Sequence, residues 1–97
     1  MIPKDIDIVA IYRALGDDIR LGMVRHIAKS ESVVASCTVV SACASLLALS
    51  QPAISHHFAK LVSSGVLTEQ KQGSQKIYSL NRELLCQAGI DIDKLIS

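Results

Sequence analysis

Apolar side chains recur at intervals of three and four residues through most of the chain, which is the spacing of amphipathic helices. This pattern predicts a first helix that ends near Gly16, a second that runs from an Asp17 cap to about Lys29, and a third, short helix capped by Thr38. The spacing is set on the first helix by Ile8, Ile11, Tyr12 and Leu15. The inner face of the second consists of Met23, Val24 and Ile27, and one face of the third is shared by Val39, Val40, Cys43, Leu46 and Leu47.

A fourth helix is predicted after Ser50, which can act as its N-cap, with Pro52 in the first turn where a missing N–H does no harm. After Gly65 the pattern changes to two extended runs, residues 66–71 and 75–80, separated by a Gly-containing turn, which is typical of a β-hairpin. Asn81 can cap a last helix that Gly89 ends, and an apolar tail follows: Ile90, Ile92, Leu95 and Ile96. The predicted fold class is mainly α with a small β-hairpin.

Length and composition favour one domain over residues 1–97 with an aliphatic core. The chain has 97 residues, of which 49% are apolar, with only one Phe, two Tyr and no Trp. A mean hydropathy of +0.36 is high for so small a protein, because a short chain can bury only part of its apolar surface. We therefore expect a second copy to cover the surplus, which makes the fold dimeric.

Charge is nearly balanced over the whole chain, with a net charge of +1, but it is unevenly distributed. Residues 50–82 carry four basic side chains and one acidic one, which makes a modest basic island. The acidic start of the chain is unlike a signal peptide, so we expect a cytoplasmic location. The uncharged stretch between Glu31 and Lys60 is interrupted by Ser and Thr residues, so no membrane association is predicted.

Two short helices joined at residues 47–50 and followed by a basic hairpin predict a winged helix-turn-helix, with the helix pair over about residues 38–64 and the wing over about residues 66–80. Once the apolar positions of the fourth helix are assigned to the core, its outer side is uncharged except for one lysine. Small and amide side chains there can reach base edges, whereas the lysines are expected to meet phosphates. The candidate DNA contacts are Ser50, Gln51, Ala53, Ser55, His56, Lys60, Lys71 and Lys76.

Two segments also carry a family resemblance: YRALGDDIRLGMVRHIA and LALSQPAISHHFAKLVSSGVLTEQKQGSQKIYSL. They resemble the first helix junction, and the recognition helix with its wing, of the ArsR family of winged-helix repressors. The resemblance implies a homodimeric cytoplasmic repressor that binds a palindromic operator in double-stranded DNA and releases it on a chemical signal. It implies base contacts by Gln51, Ser55 and His56, and it matches Arg20 to a recurring arginine. Ala48 departs from the pattern, since the family often has Gly in that turn.

The three cysteines, Cys37, Cys43 and Cys86, are candidates for sensing the signal as free thiols. A soft metal ion or oxidation would act through thiolates, and Cys37, near a helix start, is the favoured reactive sulfur. The alternative is structural, with Cys43 a small buried hydrophobe and Cys86 packed in the dimer interface. Arsenic sensors of the family have a closer cysteine pair and zinc sensors have Asp and His ligands, and neither set is complete here. We therefore predict neither a metal site nor a cofactor.

Two further function classes compete with DNA binding. A winged helix can serve as a protein-interaction module, in which case the apolar tail would be the docking segment. An enzyme is disfavoured, because the sequence offers no acid pair, no nucleophile with a spaced base and no Gly-rich phosphate loop.

Overall fold

The fold comes from a computed structural model that describes residues 6–30 and 33–96. Within those residues the fold consists of seven helices and a small antiparallel sheet. The helices are α1 (Ile8–Leu15), α2 (Asp18–Ser30), α3 (Ser36–Ala42), α4 (Ala44–Leu47), α5 (Gln51–Ser63), α6 (Arg82–Gln87) and α7 (Ile92–Ile96), and the strands are β1 (Val34–Ala35), β2 (Leu67–Gln72) and β3 (Gln75–Leu80).

Side-chain caps begin several of these helices, and three of them are at the predicted positions. The Asp17 carboxylate accepts from the backbone N–H of Arg20 at 3.0 Å, the Ser50 hydroxyl accepts from that of Ala53 at 3.3 Å, and the Asn81 side chain accepts from that of Leu84 at 3.2 Å. Each cap satisfies an N–H that has no partner within its own helix, which explains why these helices begin where they do.

The predicted third helix is wrong in two respects. It begins at Ser36 instead of after Thr38, and it breaks at Cys43, whose extended backbone (φ −107°, ψ 100°) separates α3 from α4. The break resets the helical phase, so Leu46 is fully buried while Leu47, predicted to share a face with it, is 62% exposed. Periodicity cannot register such a break, because the apolar spacing continues across it.

The sheet has one strand more than the predicted hairpin. Its order is β1-β3-β2, with β1 antiparallel to β3 through Val34 opposite Tyr78 and Ala35 opposite Ile77. A strand of two residues is too short to show a period, which is why the sequence did not indicate it. The hairpin itself is confirmed, and Gly73 takes the positive φ of 61° that its turn requires.

The core lies where α1, α2, α5 and the sheet meet. Its fully buried side chains are mostly aliphatic: Ile11, Met23, Val24, Ile27, Val39, Leu46, Leu61, Val66, Leu67 and Leu85. The apolar tail folds back as α7, so Ile90, Ile92 and Leu95 pack against this core in a half-buried state. Among the described residues, no helix is both long and apolar enough to span a membrane.

Candidate nucleic-acid interface

Helix α5 is held against the core by one face and presents the other to solvent. Ile54, Phe58 and Leu61 are buried, which fixes the rotation of the helix about its axis. The opposite side chains are exposed, and they include five of the candidate contacts: Ser50, Gln51, Ser55, His56 and Lys60. Ala53 is half-buried, so it reaches the surface less than predicted.

The turn that precedes α5 is relaxed although it lacks the expected glycine. Ala48 lies in the right-handed helical region, with φ −82° and ψ −7°, so no left-handed conformation is needed there. The backbone N–H of Leu49 donates to the carbonyl of Leu46 at 3.0 Å and closes the turn. The departure at Ala48 therefore costs the helix-turn-helix no backbone strain.

The two lysines of the hairpin are direct cross-strand neighbours. Lys71 on β2 is paired with Lys76 on β3, so both side chains project from the same face of the sheet and both are exposed. Like charges placed opposite each other destabilise a strand pair. An anion bound at the tip of the hairpin would offset the repulsion between the two lysines, which makes the pair a suitable phosphate contact.

A hydrogen-bonded junction connects α5 to the first two helices. The Arg20 guanidinium donates from Nε to the Ala14 carbonyl at 2.8 Å and from Nη1 to Nδ1 of His57 at 3.2 Å. The Asp17 carboxylate lies 4.0 Å from the same His57 nitrogen. The backbone N–H of Arg20, and then the charge of its guanidinium, lower the pKa of Asp17 against the opposing effect of burial. His57 is thus a packing residue, and Arg20 acquires a role that the sequence left open.

Sequence reasoning missed one cationic side chain near this junction. Arg13 lines a cleft of about 540 Å³ together with Arg20 and Lys60, and Asp7, Ser63 and Ser64 are also part of its lining. Arg13 is exposed in the last turn of α1, more than forty positions before Lys60 in the chain. Only the packing of α1 against α5 brings the two together, so no local pattern could have revealed the pair.

The three cysteines occupy different environments. Cys37 is exposed in the first turn of α3, where its sulfur accepts from Nε2 of Gln75 at 3.9 Å, and Cys86 is exposed on α6. Cys43 is half-buried at the α3–α4 break, and burial raises the pKa of its thiol. Within residues 6–30 and 33–96, no three His, Cys, Asp or Glu side chains come close enough together to hold a metal ion.

Comparison with known proteins points to one family. The model of the bacterial regulatory protein, arsR family, matches residues 17–69. The chain is similar to an arsenic resistance transcriptional regulator of Pseudomonas putida, with 36% identity over 76 residues, covering 76% of this chain and 60% of that protein. It is also similar to an arsenical resistance operon repressor of Staphylococcus xylosus, with 37% identity over 60 residues, covering 60% of this chain and 58% of the relative. The chain thus spans less than two thirds of the length of either relative.

The fold agrees with that family. An ArsR family transcriptional regulator of known crystal structure superimposes with a TM-score of 0.70 over 84% of this chain and 77% of its own. The two sequences are only 18% identical, so this likeness concerns the fold alone. It establishes the winged helix-turn-helix architecture independently of the sequence match.

Proposed function

The chain belongs to the ArsR family of bacterial regulatory proteins, and from that premise we propose that it is a sequence-specific DNA-binding transcriptional repressor. The observation that carries the proposal is the exposed, largely uncharged face of α5 beside the paired lysines of the hairpin. In this role α5 is the recognition helix and the β2–β3 hairpin is the wing. The whole described segment then works as one DNA-binding domain in the cytoplasm.

The recognition helix would read bases through its first two turns. Gln51 has an amide that can pair with adenine through two hydrogen bonds, while Ser55 and His56 can each donate or accept. These side chains are exposed on a helix whose core contacts fix its orientation, so they can enter a major groove without rearrangement of the backbone. Ser50 and Ala53 sit at the start of the helix, where close approach to the DNA is possible.

Phosphate contacts would come from two sides of that helix. Lys71 and Lys76 extend from the wing, and Lys60 lies at the opposite side together with Arg13. Such contacts set the position of the protein on the duplex and contribute affinity, but they carry no sequence information.

The protein would bind a palindromic operator as a homodimer, and an apolar face on α1 would form the contact between the two subunits. Val9 and Tyr12 are 58% and 49% exposed, which is unusual for apolar side chains on a small protein. The Tyr12 hydroxyl donates to the carbonyl of Ala88 at 2.7 Å and so joins α1 to the end of α6. The same face of a second subunit would pack against this face. In the resulting dimer the two recognition helices would have to lie about 34 to 36 Å apart, as successive major grooves require. A Val9→Glu variant should be monomeric in sedimentation and should lose operator affinity.

Release of the operator would follow a chemical signal at the exposed thiols, Cys37 and Cys86, by oxidation or by binding of a soft metal or metalloid ion. The arsenic resistance role of the relatives named above supports the second form of the signal. Replacing Cys37, Cys43 and Cys86 with Ser should abolish the response and preserve DNA affinity. A response to oxidant or arsenite that persists in this variant would overturn the thiol mechanism.

The deciding experiment is fluorescence anisotropy with a duplex from the region upstream of the protein's own gene. Affinity that falls steeply with salt is expected of phosphate-driven binding. Ser55→Ala and His56→Ala should each cost about 1 to 3 kcal/mol on that duplex and little on random DNA. Equal losses on both duplexes would contradict base reading. No salt-dependent binding at all would favour the protein-interaction alternative, since apolar docking is nearly insensitive to salt.

A further inference from the structure

A cleft of about 600 Å³ lies between α3, the recognition helix and the wing. Its volume falls within the range of about 300 to 1,000 Å³ that is typical of small-molecule sites. The apolar part of its lining consists of Val40, Leu47, Ile54, Phe58, Ala59 and Val62. Neither the proposed base contacts nor the proposed phosphate contacts require an apolar hollow of this size.

The floor of the cleft combines two aromatic rings with a carboxylate. Phe58 and Tyr78 are stacked, with ring centroids 4.4 Å apart and planes inclined by 20°. The hydroxyl of Tyr78 donates to Oε2 of Glu69 at 2.7 Å, so the carboxylate is held at the edge of the aromatic pair. Burial and then the adjacent Glu69 raise the pKa of Tyr78, which keeps the hydroxyl protonated as the donor.

Charge in the cleft is arranged along the wing. Glu69 is opposite Tyr78, and the lysine pair, Lys71 and Lys76, lies two residues closer to the tip of the hairpin. Among the described residues that line the cleft, Glu69 is the only acidic side chain, and it is also the only acid in the basic island of residues 50–82. A carboxylate in this place repels DNA phosphates, so DNA binding alone does not account for it.

We infer that the cleft binds a small organic cation, a protonated amine carried on an apolar or aromatic body. The ammonium group would bind Glu69 with a charge-assisted hydrogen bond, and the apolar body would lie against Val40, Leu47 and Val62. An anionic ligand of the same shape would be repelled by the Glu69 carboxylate, and its acid group would have to pair with Lys76, the one basic side chain among the described residues that line the cleft.

This site would compete with DNA, a consequence that rests on the proposed function. Gln51, Ser55 and Lys76 are proposed DNA contacts, and all three also line the cleft. A ligand seated between the recognition helix and the wing would occupy space next to these side chains, so ligand and operator would exclude each other.

The direct test is to titrate the full chain, without DNA, with three matched probes and to monitor each titration by two-dimensional NMR. They are 2-phenylethylammonium, neutral 2-phenylethanol and anionic phenylacetate, each used up to about 20 mM because ligands of this size bind weakly. The expected result is saturable shifts of cleft resonances with the ammonium probe, and at least about tenfold weaker binding of both the alcohol and the anion. Equal binding of all three, or no saturable binding, would overturn the proposal.

Two variants separate charge from volume. Glu69→Gln keeps an oxygen to accept from Tyr78 but removes the charge, so it should weaken the ammonium probe by about tenfold or more. Glu83→Gln, at an exposed acid on α6 outside the cleft, is the matched control and should change nothing. Val40→Phe should fill part of the cleft and reduce binding of both the ammonium and the alcohol. Unchanged affinity in Glu69→Gln would overturn the assignment of the ammonium to that carboxylate.

Competition is measured separately, with the upstream duplex and the wild-type chain. The ammonium probe should raise the apparent Kd for DNA, and phenylacetate at the same ionic strength should not. Failure of the proposed function would appear as no DNA binding in the absence of probe. Failure of this inference would appear as DNA binding that the ammonium probe leaves unchanged.

Discussion

Nη1 of Arg20 lies 3.2 Å from Nδ1 of His57, and the same guanidinium donates from Nε to the carbonyl of Ala14. One side chain thereby connects the end of α1, the first turn of α2 and the middle of the recognition helix. The planar guanidinium provides several donors in fixed directions, which a lysine ammonium does not. The orientation of the recognition helix depends on this connection as well as on the apolar core.

Replacement of that arginine should destabilise the protein even when the charge is kept. Arg20→Lys is expected to lower the free energy of unfolding by about 1 to 3 kcal/mol, because the Ala14 carbonyl and His57 Nδ1 lose their donors in a part-buried site. Urea unfolding measures the effect. Arg13→Lys, at an exposed arginine on the adjoining helix, is the control and should be close to neutral. Equal stability of the two variants would contradict the role of the junction.

The break between α3 and α4 can be tested with adjacent leucines. Leu46 is fully buried and Leu47 is 62% exposed. Leu46→Ala should cost about 2 to 5 kcal/mol, since it removes buried methyl groups and leaves a cavity. Leu47→Ala should stay within about 0.5 kcal/mol, as expected of a surface substitution. A single helix in which both leucines face the core would give large losses in both variants.

Asp17 makes stability depend on pH on the acid side. Its pKa is lowered from 3.8 in the folded chain, chiefly by the backbone N–H of Arg20. The stabilisation is therefore fully present above the unfolded pKa and is lost as the pH falls through the folded one. Asp17→Asn retains the cap without the charge. The difference in unfolding free energy between wild type and this variant should shrink from about pH 6 to about pH 3. Asp18→Asn, at the neighbouring exposed acid, should leave the wild-type pH profile in place.

The lysine pair of the wing gives a prediction with two measurements. Lys71→Ala should weaken binding to cognate and random DNA alike and should reduce the salt slope of log K by about 1. In the absence of DNA the same change should not destabilise the protein, because it removes the repulsion from Lys76 across the strands. Lys29→Ala, at an exposed lysine of α2, serves as the control and should leave the salt slope unchanged.

Thiol reactivity should follow exposure. With iodoacetamide at neutral pH, Cys37 and Cys86 are expected to be alkylated well before Cys43, because Cys43 is half-buried and its raised pKa leaves less thiolate. Peptide mass spectrometry after timed quenching measures the order. In denaturing urea the three rates should converge, and fast modification of Cys43 in the native protein would contradict its placement.

The fold could be predicted where each local signal acts on its own element. The caps Asp17, Ser50 and Asn81 and the turn at Gly73 are short-range features, so the sequence places them correctly. The exposed face of the recognition helix also follows from the 100° step between residues. The strand β1 depends on pairing with the distant β3, and the break at Cys43 interrupts a helix whose apolar spacing continues, so neither leaves a periodic signal.

The candidate sites divide in the same way. The proposed base and wing contacts lie on two consecutive elements, so one segment of sequence contains them. The Arg13–Lys60 cleft and the Glu69–Tyr78 pair at the aromatic floor require elements to come together in space. In the sequence Glu69 is one acid among lysines. Only the structure shows that its carboxylate accepts a hydrogen bond from Tyr78, whose ring stacks on Phe58.

The strand β1 passes into α3 without an intervening loop. Ala35 is the last residue of the strand, paired with Ile77 of the wing, and it is also the residue that precedes the first turn of the helix. The wing and α3 are therefore coupled through a single residue. A displacement of either one must move the other or break the two-residue pairing between β1 and β3. Displacement of the wing by a bound ligand or by contact with a DNA phosphate would therefore change the tilt of α3.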